Sequence, residues 1–131
     1  MFYVDSNVPM YLVGADHPNK QRVVTLIARL LAAREQLVTS AKTFQEIIHR
    51  YRAVADPVHL GAAYEALETM VSSVADVTKA DVDQARSLAG QHGALSSRDC
   101  LHVAVMRRVG CARIWSYDEG FDAVPAIERI D

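Results

Sequence analysis

The chain is 131 residues long, with half of them apolar and 23% charged, which is one domain's length with enough apolar mass to bury a core. Its 14 basic and 16 acidic residues leave a net charge of −2, which argues against a protein that coats nucleic acid through a basic surface. No apolar run reaches the roughly 20 residues of a membrane-spanning helix, and a strand starting at residue 2 leaves no room for a signal peptide, so a cytoplasmic protein with no membrane association and a single domain over 1–131 is expected.

In chain order, FYVD opens with aromatic and β-branched residues and reads as a short buried strand ending in Asp5. VPMYLV continues as a short helix with Pro9 near its start. HPNK is a turn, and Val23, Val24, Leu26, Ile27, Leu30 and Leu31 then recur through a helix over 19–36. That apolar set is broader than one narrow stripe, so the helix has a second face to bury against a partner. LVTSA over 37–41 is a second strand, followed by a helix over 43–54 that stops before Asp56-Pro57. Leu60, Tyr64, Leu67, Met70, Val71 and Val74 extend a helical stripe. A third strand near 74–78 leads into a helix over 80–91, closed by His92-Gly93. Ser96 starts another helix running to Gly110, ARIWSYD over 112–118 is a fourth strand, and a fifth lies near 126–130. Strands alternating with helices of this length imply crossover connections and a parallel sheet covered on both faces.

The two cysteines, Cys100 in a helical pattern and Cys111 before an apolar strand, read as small buried hydrophobes, and no CxxC pair suggests zinc. The clustered basic residues, such as Lys20, Arg22 and Arg29, read as solvated helix faces. His17, His49, His59, His92 and His102 form no metal-ligand pattern; His102, one turn after Asp99, could approach the site, with a structural or surface role as the alternative. Arg98, beside Asp99, could steady a carboxylate or a phosphate.

Four acids stand at element boundaries. Asp5 ends the first strand, Glu46 and Asp99 lie in the first turns of helices, and Asp118 follows the fourth strand. In a parallel sheet, strand carboxyl ends and the amino ends of the following helices share one edge, so all four face the same rim. Each also has a structural explanation. Asp5 can cap a turn or helix, Thr43-x-x-Glu46 and Ser96-x-x-Asp99 resemble capping boxes, and Asp118 can begin a turn in SYDEG. Caps do not forbid chemistry, because a helix amino end favours the ionised carboxylate. Four carboxylates without a counter-charge raise one another's pKa. An all-oxygen donor set of this kind suits Mg²⁺, with Mn²⁺ able to substitute, and two such ions can activate water against a phosphodiester.

FYVDSN, TFQE, SSRDCLHVAVM and SYDEGFD, in this order and spacing, resemble the PIN domain, and within it the single-domain VapC-type toxins of bacterial toxin–antitoxin pairs. The resemblance spans essentially the whole chain. It implies an α/β, three-layer fold with a central, mostly parallel four- to five-stranded sheet flanked by helices. It also implies a Mg²⁺-dependent endoribonuclease in which Asp5, Asp99 and Asp118 hold the metal and Glu46 completes the site or orients the water. Ser6, Asn7, Ser116 and Asp122 are expected just behind these acids, Ser116 standing where many relatives carry threonine. The implied partners are an RNA substrate, a cognate VapB-type antitoxin whose basic tail enters the acidic groove, and a second copy of the chain.

Other acid-bearing α/β readings fit less well. A receiver-like phosphoacceptor wants paired acids after the first strand and a late lysine, but Asp5 is followed by Ser6 and the lysines are Lys20, Lys42 and Lys79. A haloacid-dehalogenase-type phosphatase wants Asp-x-Asp where this chain has DSN. A non-catalytic binding module, whose acidic groove only receives a basic partner segment, would use the same carboxylates.

Overall fold

The computed structural model describes residues 1–131. Five short strands form one sheet: β1 (Phe2–Val4), β2 (Leu37–Ser40), β3 (Ser73–Ala75), β4 (Arg113–Trp115) and β5 (Glu128–Ile130). Their order is β3-β2-β1-β4-β5, and every neighbouring pair is parallel. The first strand is therefore the central one, and the residue after it, Asp5, emerges in the middle of the sheet's carboxyl edge.

Alternation along the strands divides the interior in two. Phe2, Val4, Leu37 and Trp115 point to the face covered by α1 (Asn7–Val13), α2 (Pro18–Ala32), α3 (Ala41–Ala53) and α4 (Pro57–Met70), against Val8, Leu26, Ile47 and Leu67. Tyr3, Val38 and Ile114 point to the other face, against Leu88 of α5 (Lys79–Gln91) and Val103 and Met106 of α6 (Ser97–Arg108). The result is the three-layer α/β architecture expected from the sequence. Cys100 and Cys111 are free and buried, and no helix is long and apolar enough to cross a membrane.

Several boundaries differ from the sequence expectation, each for a local reason. The helix expected over 19–36 stops at Ala32, where Arg34 takes a positive φ of 55°. Glu35 N–H bonds to Leu30 O at 3.0 Å and Arg34 N–H to Leu31 O at 3.0 Å. This is a Schellman turn built without glycine, so the sequence carries no stop signal. The stripe expected to run to Val74 ends at Met70. Val71 is extended, Ser72 N–H bonds to Leu37 O at 2.7 Å, and Val74 lies in β3, so the strand takes over while the apolar spacing continues. The strand expected over 112–118 ends at Trp115, and Asp118 instead opens a 3₁₀ turn over Glu119–Ala123.

The capping boxes also redistribute. Helix α3 begins at Ala41 behind Ser40, so Thr43 is inside the helix and does not cap it. Its hydroxyl instead meets that of Thr39 at 2.8 Å. Glu46 thus lies in the second turn, with its carboxylate free of capping. The reciprocal box in this chain is Thr78 with Asp81, at the start of α5. Asp81 also receives Arg108 at 2.8 Å, which ties α5 to α6.

Candidate active site

Asp5, Glu46 and Asp99 are all buried, although each is a carboxylate. They arrive from β1, α3 and α6, so the fold spends three elements on delivering acids to one edge. Asp5 does not cap a helix through its side chain. Its Oδ1 accepts the Ser6 N–H at 2.7 Å and its Oδ2 accepts the Ser116 hydroxyl at 2.6 Å. The Ser116 hydroxyl also accepts the Asp118 N–H at 3.0 Å and the Asn7 amide at 3.3 Å. Asn7 in turn accepts the Tyr117 N–H at 3.3 Å. Ser6, Asn7 and Ser116 therefore form one hydrogen-bonded bracket around Asp5 and the end of β4.

Asp99 occupies the first turn of α6, where its N–H donates to the Ser96 hydroxyl at 3.1 Å. Burial raises its carboxyl to about 6, and the nearby charges of Asp5 and Asp118 push in the same direction. Burial also raises Asp5, against the pull of His102 and the Ser116 hydrogen bond. Glu46 departs the other way. Burial would raise it, but the hydrogen bond and charge of His102 outweigh that and hold its carboxyl below the usual range.

Asp118 sits at the exposed lip, its Oδ1 accepting the Gly120 N–H at 2.8 Å. The turn expected there is present, and the Asp118 charge acts on Asp99. A Cβ on Gly120 would lie 3.1 Å from Asp118 Oδ1 and 3.4 Å from Ala94 O, so a larger residue there would press on the Asp118 carboxylate. Asp122 is apart from the acids. It forms a two-pronged ion pair with Arg129, whose guanidinium also donates to Ser116 O at 3.1 Å. Asp122 thus braces the end of β4 through Arg129 and does not touch the other carboxylates.

His102, one turn after Asp99, does approach the site, and it is not a surface side chain. It is fully buried, with Nε2 3.0 and 3.1 Å from the two Glu46 oxygens and 3.8 Å from Asp5 Oδ1. Ligand atoms of Asp5, Glu46 and His102 all lie within 4.8 Å of one another. Burial alone would lower this imidazole. Tyr3, the Glu46 hydrogen bond and the charges of Asp5 and Glu46 prevail and hold it well above the ordinary histidine range. A signal was available: Cys100, Val103, Ala104, Val105 and Met106 surround it on a helix buried nearly all round, and a polar side chain there needs a partner.

The donor set is dominated by hard carboxylate oxygens, and two of its members, Asp5 and Asp99, are pushed toward neutrality by burial and by repulsion from neighbouring carboxylates, Glu46 for Asp5 and Asp5 and Asp118 for Asp99. A divalent cation of the Mg²⁺ or Mn²⁺ kind fits such a set, because its charge relieves that repulsion.

Residues 2–127 match the family model for the PIN domain. Ribonuclease VapC13 of Mycobacterium tuberculosis is 42% identical over 130 residues, which is 99% of both chains. Among solved structures, the sarcin–ricin loop cleaving toxin VapC20 of M. tuberculosis superposes with a TM-score of 0.75 at 24% identity, over 98% of each chain. VapBC-1 of nontypeable Haemophilus influenzae gives a TM-score of 0.71 at 18% identity, over 100% of this chain and 98% of that one. The chain belongs to the PIN-domain family and, within it, to the VapC ribonucleases.

Proposed function

We propose that the protein is a divalent-metal-dependent endoribonuclease toxin, with Mg²⁺ as the ion and Mn²⁺ as a substitute. The observation that carries this reading is the convergence of three buried carboxylates, Asp5, Glu46 and Asp99, from separate elements on one sheet edge, where the charges of Asp5 and Asp118 push Asp99 upward. A site that held only protein charges gains nothing from that repulsion, whereas a cation site uses it. The 42% identity to a named ribonuclease supports RNA as the substrate.

In this reading Asp5, Asp99 and Asp118 hold the cation, and Glu46 completes the set or orients the attacking water. When bound, the ion supplies Lewis acidity at the phosphodiester and a lowered pKa for water. Ser116 and the Ser6 N–H fix both oxygens of Asp5. Glu46, kept ionised by His102, would complete the set around the ion or accept a hydrogen bond from the attacking water. Asp118 is the exposed member of the set, at its open lip.

A VapB-type antitoxin is the proposed partner, supported by the VapBC-1 likeness and by an acidic rim suited to a basic segment. A second copy of the chain is proposed as well, since Val24 and Leu31 of α2 stay exposed. The test is to incubate total RNA with antitoxin-free protein in Mg²⁺ or in chelator and to sequence new 5′ ends. Discrete ends that require the ion are expected. Ends that persist in chelator would remove the metal from the account, and no ends at all would favour a binding module with an acidic groove.

A further inference from the structure

The acids come from both sides of the sheet. Asp99 is carried by α6, whose Cys100, Val103 and Met106 pack with Tyr3 and Ile114. Glu46 is carried by α3, whose Phe44 and Ile47 pack with Val4 and Trp115 on the opposite face. Glu46 can join the other carboxylates only by leaning over the sheet's carboxyl edge. The side chain that meets it there is His102, which α6 sends over the same edge from the other side.

The contacts of His102 run in one direction. Nε2 lies 3.0 and 3.1 Å from the two oxygens of Glu46. Nδ1 lies 2.7 Å from the Tyr3 hydroxyl, which lies 2.6 Å from the Ser40 hydroxyl at the end of β2. Tyr3, Ser40 and His102 are all buried, so each ring nitrogen spends its hydrogen bond on a fixed side chain and none on water. A proton on Nε2 lets the ring donate to Glu46 whether Nδ1 is bare or protonated. A buried imidazole needs partners in any role, and the one on Nε2 is a carboxylate of the acidic cluster.

We infer that His102 is a positioning residue that clamps the Glu46 carboxylate across the sheet edge, with Tyr3 and Ser40 as its backstop. The inference rests on the metal-nuclease reading for its consequence, because the clamp fixes the fourth acid of that site. Partners that orient a ligating or catalytic carboxylate in this way contribute about 10–100-fold to metal affinity or activity.

The experiment compares wild type with His102→Phe, His102→Gln, Tyr3→Phe, Glu46→Gln and the double variant His102→Phe/Glu46→Gln. Mn²⁺ affinity is measured by calorimetry, kcat and KM by RNA cleavage, and Tm by circular dichroism. His102→Phe should lose about 10–100-fold in kcat or Mn²⁺ affinity, with KM for RNA held within about twofold. His102→Gln, which keeps a donor, should recover much of that loss, and Tyr3→Phe should lose less than His102→Phe. The double variant should be no worse than Glu46→Gln alone. A purely structural role predicts instead that Tm falls while kcat and Mn²⁺ affinity per folded molecule stay at wild-type values, and that result overturns the clamp. So does a double variant whose losses simply multiply.

If His102→Phe does not fold, ¹⁵N NMR of the metal-free wild type decides. A proton on Nε2, facing Glu46, is expected, and a bare Nε2 overturns the inference. The NMR result is independent of catalysis. A wild type that neither binds Mn²⁺ nor cuts RNA would sink the nuclease reading alone, leaving the His102–Glu46 contact to be judged by its own signal.

Discussion

Replacing Asp99 with asparagine should make the metal-free protein more stable while abolishing its activity. The carboxyl is buried, and burial together with the charges of Asp5 and Asp118 raises it from an ordinary value near 3.8 to about 6. At about 1.36 kcal/mol per pH unit, ionising it in the folded state costs about 3 kcal/mol. The site opens at a rim that water reaches, so a realistic figure is about 1–3 kcal/mol. The sign follows from proton binding. Between about pH 4 and pH 6 the folded protein holds a proton that the unfolded chain has released, so stability falls as pH rises through that window and stays low above it. Asparagine keeps the shape and the acceptor oxygen without the charge, and Ser96 still caps the backbone N–H. In chelator at pH 7.5 the Asp99→Asn protein should therefore melt about 3–10 °C above wild type, and the gap should close by pH 4. Saturating Mg²⁺ should raise wild type more than the variant, because only wild type gains relief from the cation. Calorimetric melting at pH 4, 6 and 7.5, with and without Mg²⁺, measures all of this. A variant less stable than wild type in chelator at pH 7.5, or a gap independent of pH, would refute the electrostatic account of Asp99.

Other perturbations separate the site from its scaffold. Gly120→Ala places a methyl 3.1 Å from Asp118 Oδ1, so cleavage should fall severalfold with little change in melting temperature; full activity in a steady-state assay would contradict that role for the turn. Leu67, fully buried between α4 and the sheet, should cost about 2–5 kcal/mol as Leu67→Ala, read by urea unfolding, while Mn²⁺ affinity of the folded protein stays unchanged. The Arg108 hydrogen bond holds Asp81 below its ordinary range. Its contribution is therefore present above about pH 4 and lost as pH falls below that. Arg108→Met should destabilise the protein at pH 7, and by less as pH falls below about 4, as acid and neutral melts would report.

The sequence carried the fold's outline because its signals were local and strong. FYVD and ARIW are short apolar strands, His92-Gly93 ends α5, and Ser96 caps α6 as read. What it hid were features decided by tertiary contacts. Arg34 closes α2 in a conformation usually left to glycine. Val71 and Val74 keep a helical phase after the backbone has turned to pair with β2. Thr43 looks like a cap because Ala41, where the helix begins, reads as the end of the preceding strand. The acids followed a rule of parallel sheets, so Asp5, Glu46, Asp99 and Asp118 could be gathered on one edge before any coordinates. That Asp122 would turn toward Arg129 could not be read, because the pairing depends on where β5 lies. The burial of His102 depended on α6 being covered on nearly every side, which its dense apolar neighbours do record.

The central claim is that acids from separate elements act as one catalytic unit, and its most direct test is single-turnover RNA cleavage by Asp5→Asn, Asp99→Asn and the Asp5→Asn/Asp99→Asn double variant, each with folding checked by circular dichroism. Groups that act as a unit lose their function together. Each single variant should fall by at least about a thousandfold, and the double should fall little further. Wild-type rates in either single variant, or losses that multiply in the double, would contradict the shared site.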